Sequence, residues 1–165
     1  MRTLAERYAH LISDIQSVLA MIAFHDAVYD SQRNDNEEES AALARKMLSG
    51  IVSPELLDFI VAGILATKRH LIPVGLPVGQ QRDIAFLLDA DLAILGSSEE
   101  EFDAFDAAVR KEYAWVDAVA WRIGRAAVMR SFSQRPAIYL SDEFRAAFEE
   151  QARRNIARLL KSLEG

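Results

Sequence analysis

The chain has 165 residues, about half of them hydrophobic and about a quarter charged, with a net charge of −6 and no cysteine. That length suits one domain with a sizeable core. The acidic balance argues against nucleic-acid polymers and membranes as partners, both of which want a basic face, and the lack of thiols excludes disulfides, cysteine zinc sites and thiol nucleophiles. The N-terminus has no signal-peptide pattern and no apolar run approaches the roughly 20 residues that span a bilayer, so a cytoplasmic protein is expected.

Taken in chain order, the sequence reads as helix after helix. Spacing of the 3.6 type covers about 3–13 and 15–29, with a break near Ser13-Asp14. The polar stretch SQRNDNEEES (31–40) is a loop running into a helix start, where Asp35 and Glu38 have capping-box spacing; that helix reaches about Ser49 and stops at Gly50. Ser53-Pro54-Glu55 opens the next, an N-cap followed by proline in the first turn, and it runs to about His70. LIPVGLPVGQQ (71–81) is the one Pro/Gly-rich connector, and its length is of the functional or mobile kind. A helix over 82–95 stops at Gly96, and Ser98 with Glu101 starts another to about Tyr113. Two more fit 116–133 and 141–163, separated around Pro136. No period-2 alternation and no internal repeat is found, so the fold class is all-α, a single helical bundle over 1–165.

Two polar residues stand inside the apolar segment IAFHDAVYD (22–30). On the 15–29 helix the stripe Ile15, Val18, Leu19, Ile22, His25, Asp26, Tyr29 steps by three and four, which predicts core-facing positions for His25 and Asp26. A buried carboxylate is costly unless paired or metal-bound. On the 82–95 helix the stripe Ile84, Leu87, Leu88, Asp91, Leu95 puts Asp91 where a hydrophobe belongs. Asp89 lies about 200° round the same helix and is expected to support Asp91 from behind or to face solvent. Thr67 and His70 share a side near the end of the 53–70 helix, where the dipole alone favours a protonated imidazole. Inward aspartates from two helices with a histidine beside one of them suit Mn, Fe, Ni, Co or Zn; carboxylate and water alone suit Mg. Such an ion neutralises the buried charge and lowers the pKa of a coordinated water, presenting hydroxide to an electrophilic phosphorus.

The ordered set FHDAVYD, DNEEESAALAR, ILATKRH, LLDADLAILG, VRKEYAWV, GRAAVMRSF and ARRNIARLL resembles a family of small bacterial proteins of the HD superfamily, described as metal-dependent phosphohydrolases. The resemblance runs from about residue 18 to the C-terminus. It implies an HD-like bundle with a metal site of the form His…His-Asp…Asp, in which His25 and Asp26 match the doublet and Asp91 the distal aspartate, with His70 as an extra ligand or substrate contact. The family's first histidine, carried in a Tyr-His-x-Leu-x-His segment, has no counterpart. RYAHLISDI (7–15) is similar, but its His10 stands only fifteen residues before His25, and a surface role is expected for it.

The function expected on these grounds is hydrolysis of a small phosphorylated compound, with a nucleotide among the candidates. Asp26 and Asp91 are the catalytic carboxylates. Asp91, Asp89 or Glu37 is placed to accept a proton, and Lys68 and Arg125 to hold phosphoryl oxygens. Simpler roles stand beside these: a solvated first turn for Glu37–Glu39, surface salt bridging for Lys68, core or helix packing for Tyr113, Trp115 and Trp121. The alternative class is a degenerate HD domain that binds a nucleotide or a protein without turnover, motivated by the missing first histidine. A start upstream of Met1 is a third reading. The bare apolar face that the missing helix leaves on 15–29 predicts a homodimer.

Overall fold

The computed structural model describes residues 1–164 and is all-helical, with no strand among the described residues. None of its helices is long and apolar enough to cross a membrane. The chain folds as two compact units, Met1–Asp91 and Leu92–Gly165.

The first unit holds α1 (Arg2–Arg7), α2 (Ile15–Phe24), α3 (Asn36–Leu48), α4 (Pro54–Thr67) and α5 (Val78–Asp91). Local chemistry sets most of these bounds. Asp14 caps α2 by accepting from Gln16 N and Ser17 N, and Ser53 caps α4 by accepting from Leu56 N, with Pro54 in the first turn. Gly50 has φ 76°, the left-handed conformation that glycine adopts without strain after a helix. The core joins Met21, Ala41, Ala44, Ile60, Ile64, Ile84, Leu87 and Leu88 across α2 to α5. Where α2 meets α4, a side chain at Gly63 would begin 2.4 Å from Met21 Sδ, so glycine permits the approach.

Several expectations are corrected here. The helix expected over 15–29 ends at Phe24. Its buried face is Ser17, Val18, Met21 and His25, while Ile15 and Leu19 are 39% and 41% exposed. The Asp35–Glu38 capping box does not form: Asp35 is taken by Arg33 at 2.8 Å, and Glu38 by Lys68 at 2.6 Å. Opposite charges, one two residues back and the other at the end of α4, outcompete the backbone N–H groups. The 71–81 connector is shorter than expected because α5 begins at Val78, and Ile72 and Leu76 pack on the core.

In the second unit a 3₁₀ stretch Leu92–Gly96 leads to α6 (Glu99–Glu112), α7 (Ala118–Ser133), the short α8 (Asp142–Phe144), a π stretch Arg145–Glu149 and α9 (Glu150–Glu164). The Ser98–Glu101 capping box is present in full. Gly96 does more than end a helix, since a Cβ there would meet Phe148 Cβ at 2.6 Å. Buried Asn155 donates to Leu95 O at 2.9 Å and Ser97 O at 3.0 Å, satisfying carbonyls that the 3₁₀ stretch leaves open. Trp115, expected as a core or helix-packing aromatic, is 55% exposed, its ring stacked on that of Tyr113 at 6.1 Å.

One buried carboxylate fastens the N-terminal part of the first unit. Asp83, 1% exposed, accepts from Ser13 N at 2.6 Å and Asp14 N at 3.0 Å. Asp83→Ala leaves two backbone donors without their acceptor. Urea unfolding is expected to show a loss of about 3 kcal/mol, with no more than about half of it recovered in Asp83→Asn, whose amide keeps one acceptor oxygen and sets an NH2 group against the other donor.

Candidate metal centre

The site stands at the ends of three helices. In α2 the buried positions Val18 and Met21 are followed by His25, four residues on, so the apolar stripe delivers the imidazole to the interior at the helix's last turn. His25 N still donates to Met21 O at 2.9 Å and its backbone is helical, φ −56° and ψ −36°. Asp91 is the final residue of α5, a helix buried on most of its circumference through Asp83, Ile84, Phe86, Leu87, Leu88, Asp89 and Ala90. His70 follows α4. Its N–H donates to Ala66 O at 2.9 Å, and its φ of 52° places a non-glycine residue in the left-handed region. That conformation costs about 1 kcal/mol or more.

His25 Nδ1 lies 3.0 Å from the Ile22 carbonyl oxygen, which can only accept, so Nδ1 carries a proton; Nε2 holds the lone pair in the neutral imidazole and a second proton in the imidazolium. Nε2 faces Asp26 Oδ2 at 3.4 Å and Asp91 Oδ1 at 3.5 Å, donating to them when protonated and free to bind a cation when not. The other oxygen of Asp91 is 2.9 Å from His70 Nε2. One ligand atom each from His25, Asp26 and Asp91 lie within 4.8 Å of one another, a group that could hold a metal ion. Two ligands on a tetrahedral ion, each about 2.0–2.1 Å from it, stand roughly 3.3 Å apart, close to the two separations seen. A ligating histidine whose second nitrogen is fixed by a backbone carbonyl is the arrangement metal sites use. His25 and His70 also sit at the C-terminal ends of α2 and α4, where the helix dipole favours a cation.

The electrostatics of the group are coupled. Burial alone would push the His25 imidazole down, but the hydrogen bond it donates to Asp91 and the charges of Asp26 and Asp91 outweigh it, and the pKa is raised above 6.5. Burial would likewise push Asp91 up; its hydrogen bonds to His25 and His70 win and hold it down to about 2. At Asp26, burial and the neighbouring Asp91 and Glu37 carboxylates outweigh His25, and the pKa is raised.

The expected site residues are thus distributed as follows. His25, Asp26 and Asp91 come together. Asp26 is not core-facing as expected, because α2 has already ended and the carboxylate, 64% exposed, turns to the open side of the group. Asp89, expected to support Asp91 from behind or to face solvent, is 1% exposed. His70 stands behind Asp91 and steadies the oxygen that His25 does not face. Glu37 is close enough for its charge to act on Asp26. Lys68 is committed: its Nζ lies 2.6 Å from Asn34 O, 2.6 and 2.7 Å from the two Glu38 oxygens and 3.9 Å from Glu37. Arg125 belongs to the second unit and pairs with Asp106 at 2.7 Å. His10 is exposed, its ring 6.4 Å from that of Tyr8.

Sequence reasoning missed the residues that hold the 26–30 turn. The buried Ser40 hydroxyl accepts from Val28 N at 3.0 Å and donates to Val28 O at 3.2 Å, and Asn36 brackets Asp30 with Oδ1 on its N–H and Nδ2 on its carbonyl. The signal was present for Ser40, a hydroxyl on the same face as Ala44. Comparison of the chain with family models, curated proteins and solved structures finds no match.

A pH dependence follows. Because the folded pKa of His25 lies above 6.5, its stabilisation is complete below pH 6.5 and is lost as pH rises through the folded value. Asp91 works in the opposite sense: its contribution stands above pH 3.8 and disappears as pH falls toward about 2. In chelator, urea unfolding should show greater stability at about pH 5.5 than at about pH 8.5, and His25→Gln should remove most of that difference. Metal affinity should rise across the same interval, as the proton on His25 leaves.

Proposed function

We propose that the first unit is a divalent-metal-dependent phosphohydrolase of the HD type, acting on a small phosphorylated compound such as a nucleotide. The observation that carries this reading is the tautomer-fixed Nε2 of His25 set against carboxylate oxygens of Asp26 and Asp91. His25, Asp26 and Asp91 hold the ion, with Mn, Fe, Ni, Co, Zn and Mg as candidates. Bound there, the ion supplies Lewis-acid polarisation of a phosphoryl oxygen and a lowered water pKa. His70 keeps Asp91 turned toward His25, and the exposed side of Asp26 is the approach for substrate. Glu37, whose charge already acts on Asp26, is the carboxylate available to take up a proton.

A second reading is an HD-like module that binds its ligand without turnover. It is favoured by one observation: Lys68 and Arg125, the cations nominated for phosphate, are both already paired with carboxylates.

Metal analysis and a substrate panel distinguish them. The purified chain, loaded with Mn or Ni and desalted, should retain about one ion and hydrolyse a nucleotide or a generic phosphate ester. Asp91→Asn should lose at least roughly 100-fold in metal affinity, and activity with it. Sub-stoichiometric metal without hydrolysis supports the binding module, and no retained metal overturns the phosphohydrolase.

A further inference from the structure

Helix α7 buries one side in the second unit and leaves the other bare. Ala126 and Met129 are buried, while Val119, Ile123 and Val128 are 68%, 66% and 46% exposed. All three are more open than Ile15 and Leu19 of α2. Ala120, Gly124 and Ala127, also exposed, stand between them. At about 100° per residue these positions share the half of the helix surface that faces outward. Clefts of about 400 and 300 Å³ border this ridge, one toward the end of α6 and the other toward the end of α9.

Covering the ridge requires little loss of hydration by charge. Between Val119 and Val128 its outward half carries no charged side chain. The arginines beside it are committed within the chain: Arg122 donates to Leu163 O from Nε at 2.8 Å and from Nη2 at 2.6 Å, and Arg130 pairs with Glu164. The exposed apolar surface of the ridge and the cleft rims amounts to roughly 600 Å² per copy, the upper end of what a monomer exposes. Pairing two such faces removes about 1,200 Å² from water, which reaches the range of specific interfaces.

The ridge also reads alike from both ends. Val119 and Val128 lie equally far from the midpoint between Ile123 and Gly124, and so do Ala120 and Ala127. The same midpoint separates Asp117, the N-cap of α7, from Arg130. An antiparallel second α7 therefore sets Ala120 level with Ala127, small against small where the helix axes come closest. It brings the acidic end of each helix over the basic end of the other, with the two helix dipoles opposed. A patch complementary to itself is the requirement of a two-fold interface.

We propose that the outward face of α7 pairs with the same face of a second copy of the chain, in an antiparallel two-fold dimer. The interface stands on the second unit alone and is independent of the metal-centre reading.

The test is sedimentation of the full chain from about 1 to 100 µM, with cross-linking to fix the register. A reversible monomer–dimer equilibrium is expected in that range. Ile123→Glu should weaken it at least about tenfold at an unchanged Tm, and Val74→Glu, at a fully exposed valine of the first unit, should leave it intact. The chain has no cysteine, so introduced thiols report without background. Under mild oxidation, an equal mixture of Ala120→Cys and Ala127→Cys chains should join 120 to 127 faster than either variant joins to itself. In the antiparallel pair, like positions are offset by about 10 Å along the axis, beyond a disulfide's reach of about 7 Å. Should Ile123→Glu lower the Tm, the cross-linking alone decides. A monomer at 100 µM leaves the ridge to a different protein and overturns the proposal. So do a dimer that Ile123→Glu leaves intact, one that Val74→Glu dissociates, and faster joining of like positions.

Discussion

Asp91 lies between two imidazoles, and the rest of the candidate site depends on keeping that carboxylate charged. Its Oδ1 faces His25 and its Oδ2 faces His70. An ionised carboxylate taken this far from water is tolerated only with partners of this kind. The histidines are not equivalent. His25 arrives on the buried stripe of α2 with its tautomer set by the Ile22 carbonyl. His70 arrives through a left-handed residue, strain the surrounding structure sustains at this one non-glycine position among the described residues. One imidazole is thereby presented to the open side and the other serves Asp91 from behind.

The charge balance of the group sets what it can attract. Asp26, Asp91 and Glu37 share a small volume, and Lys68 is held by Glu38 and a backbone carbonyl. In the proposed reaction, the pull on a phosphorylated substrate would have to come from a cation seated among the carboxylates, not from Lys68. The exposed Lys68–Glu38 pair adds little stability by itself. Its place is structural: it joins the residue two before His70 to the first turn of α3, next to Glu37.

Much of the fold was legible in the sequence because caps are local chemistry. Ser53-Pro54 and Ser98…Glu101 act through groups within three residues, and both do what their spacing says. The all-helical class and the buried stripe of Ile84, Leu87, Leu88 and Leu95 were legible for a similar reason, since period alone carries them. The acids were harder. With α5 buried nearly all round, periodicity could not separate Asp83, Asp89 and Asp91, and only tertiary partners do so. Asp26 was misplaced because helical spacing was extended five residues past the end of α2, to Tyr29. Asp35 was misassigned because Arg33, in a loop without period, reached it first. The division into two units has no compositional mark, as the chain passes from α5 into the next helical turn without a linker.

The most direct measurement is diffraction from crystals soaked in Mn or Zn, with data collected at the metal's absorption edge. An anomalous peak within about 2.0–2.2 Å of His25 Nε2, an Asp26 oxygen and Asp91 Oδ1, with His70 still on Oδ2, is the expected result. A peak elsewhere, or none with His25 bonded directly to either carboxylate, would contradict the metal centre.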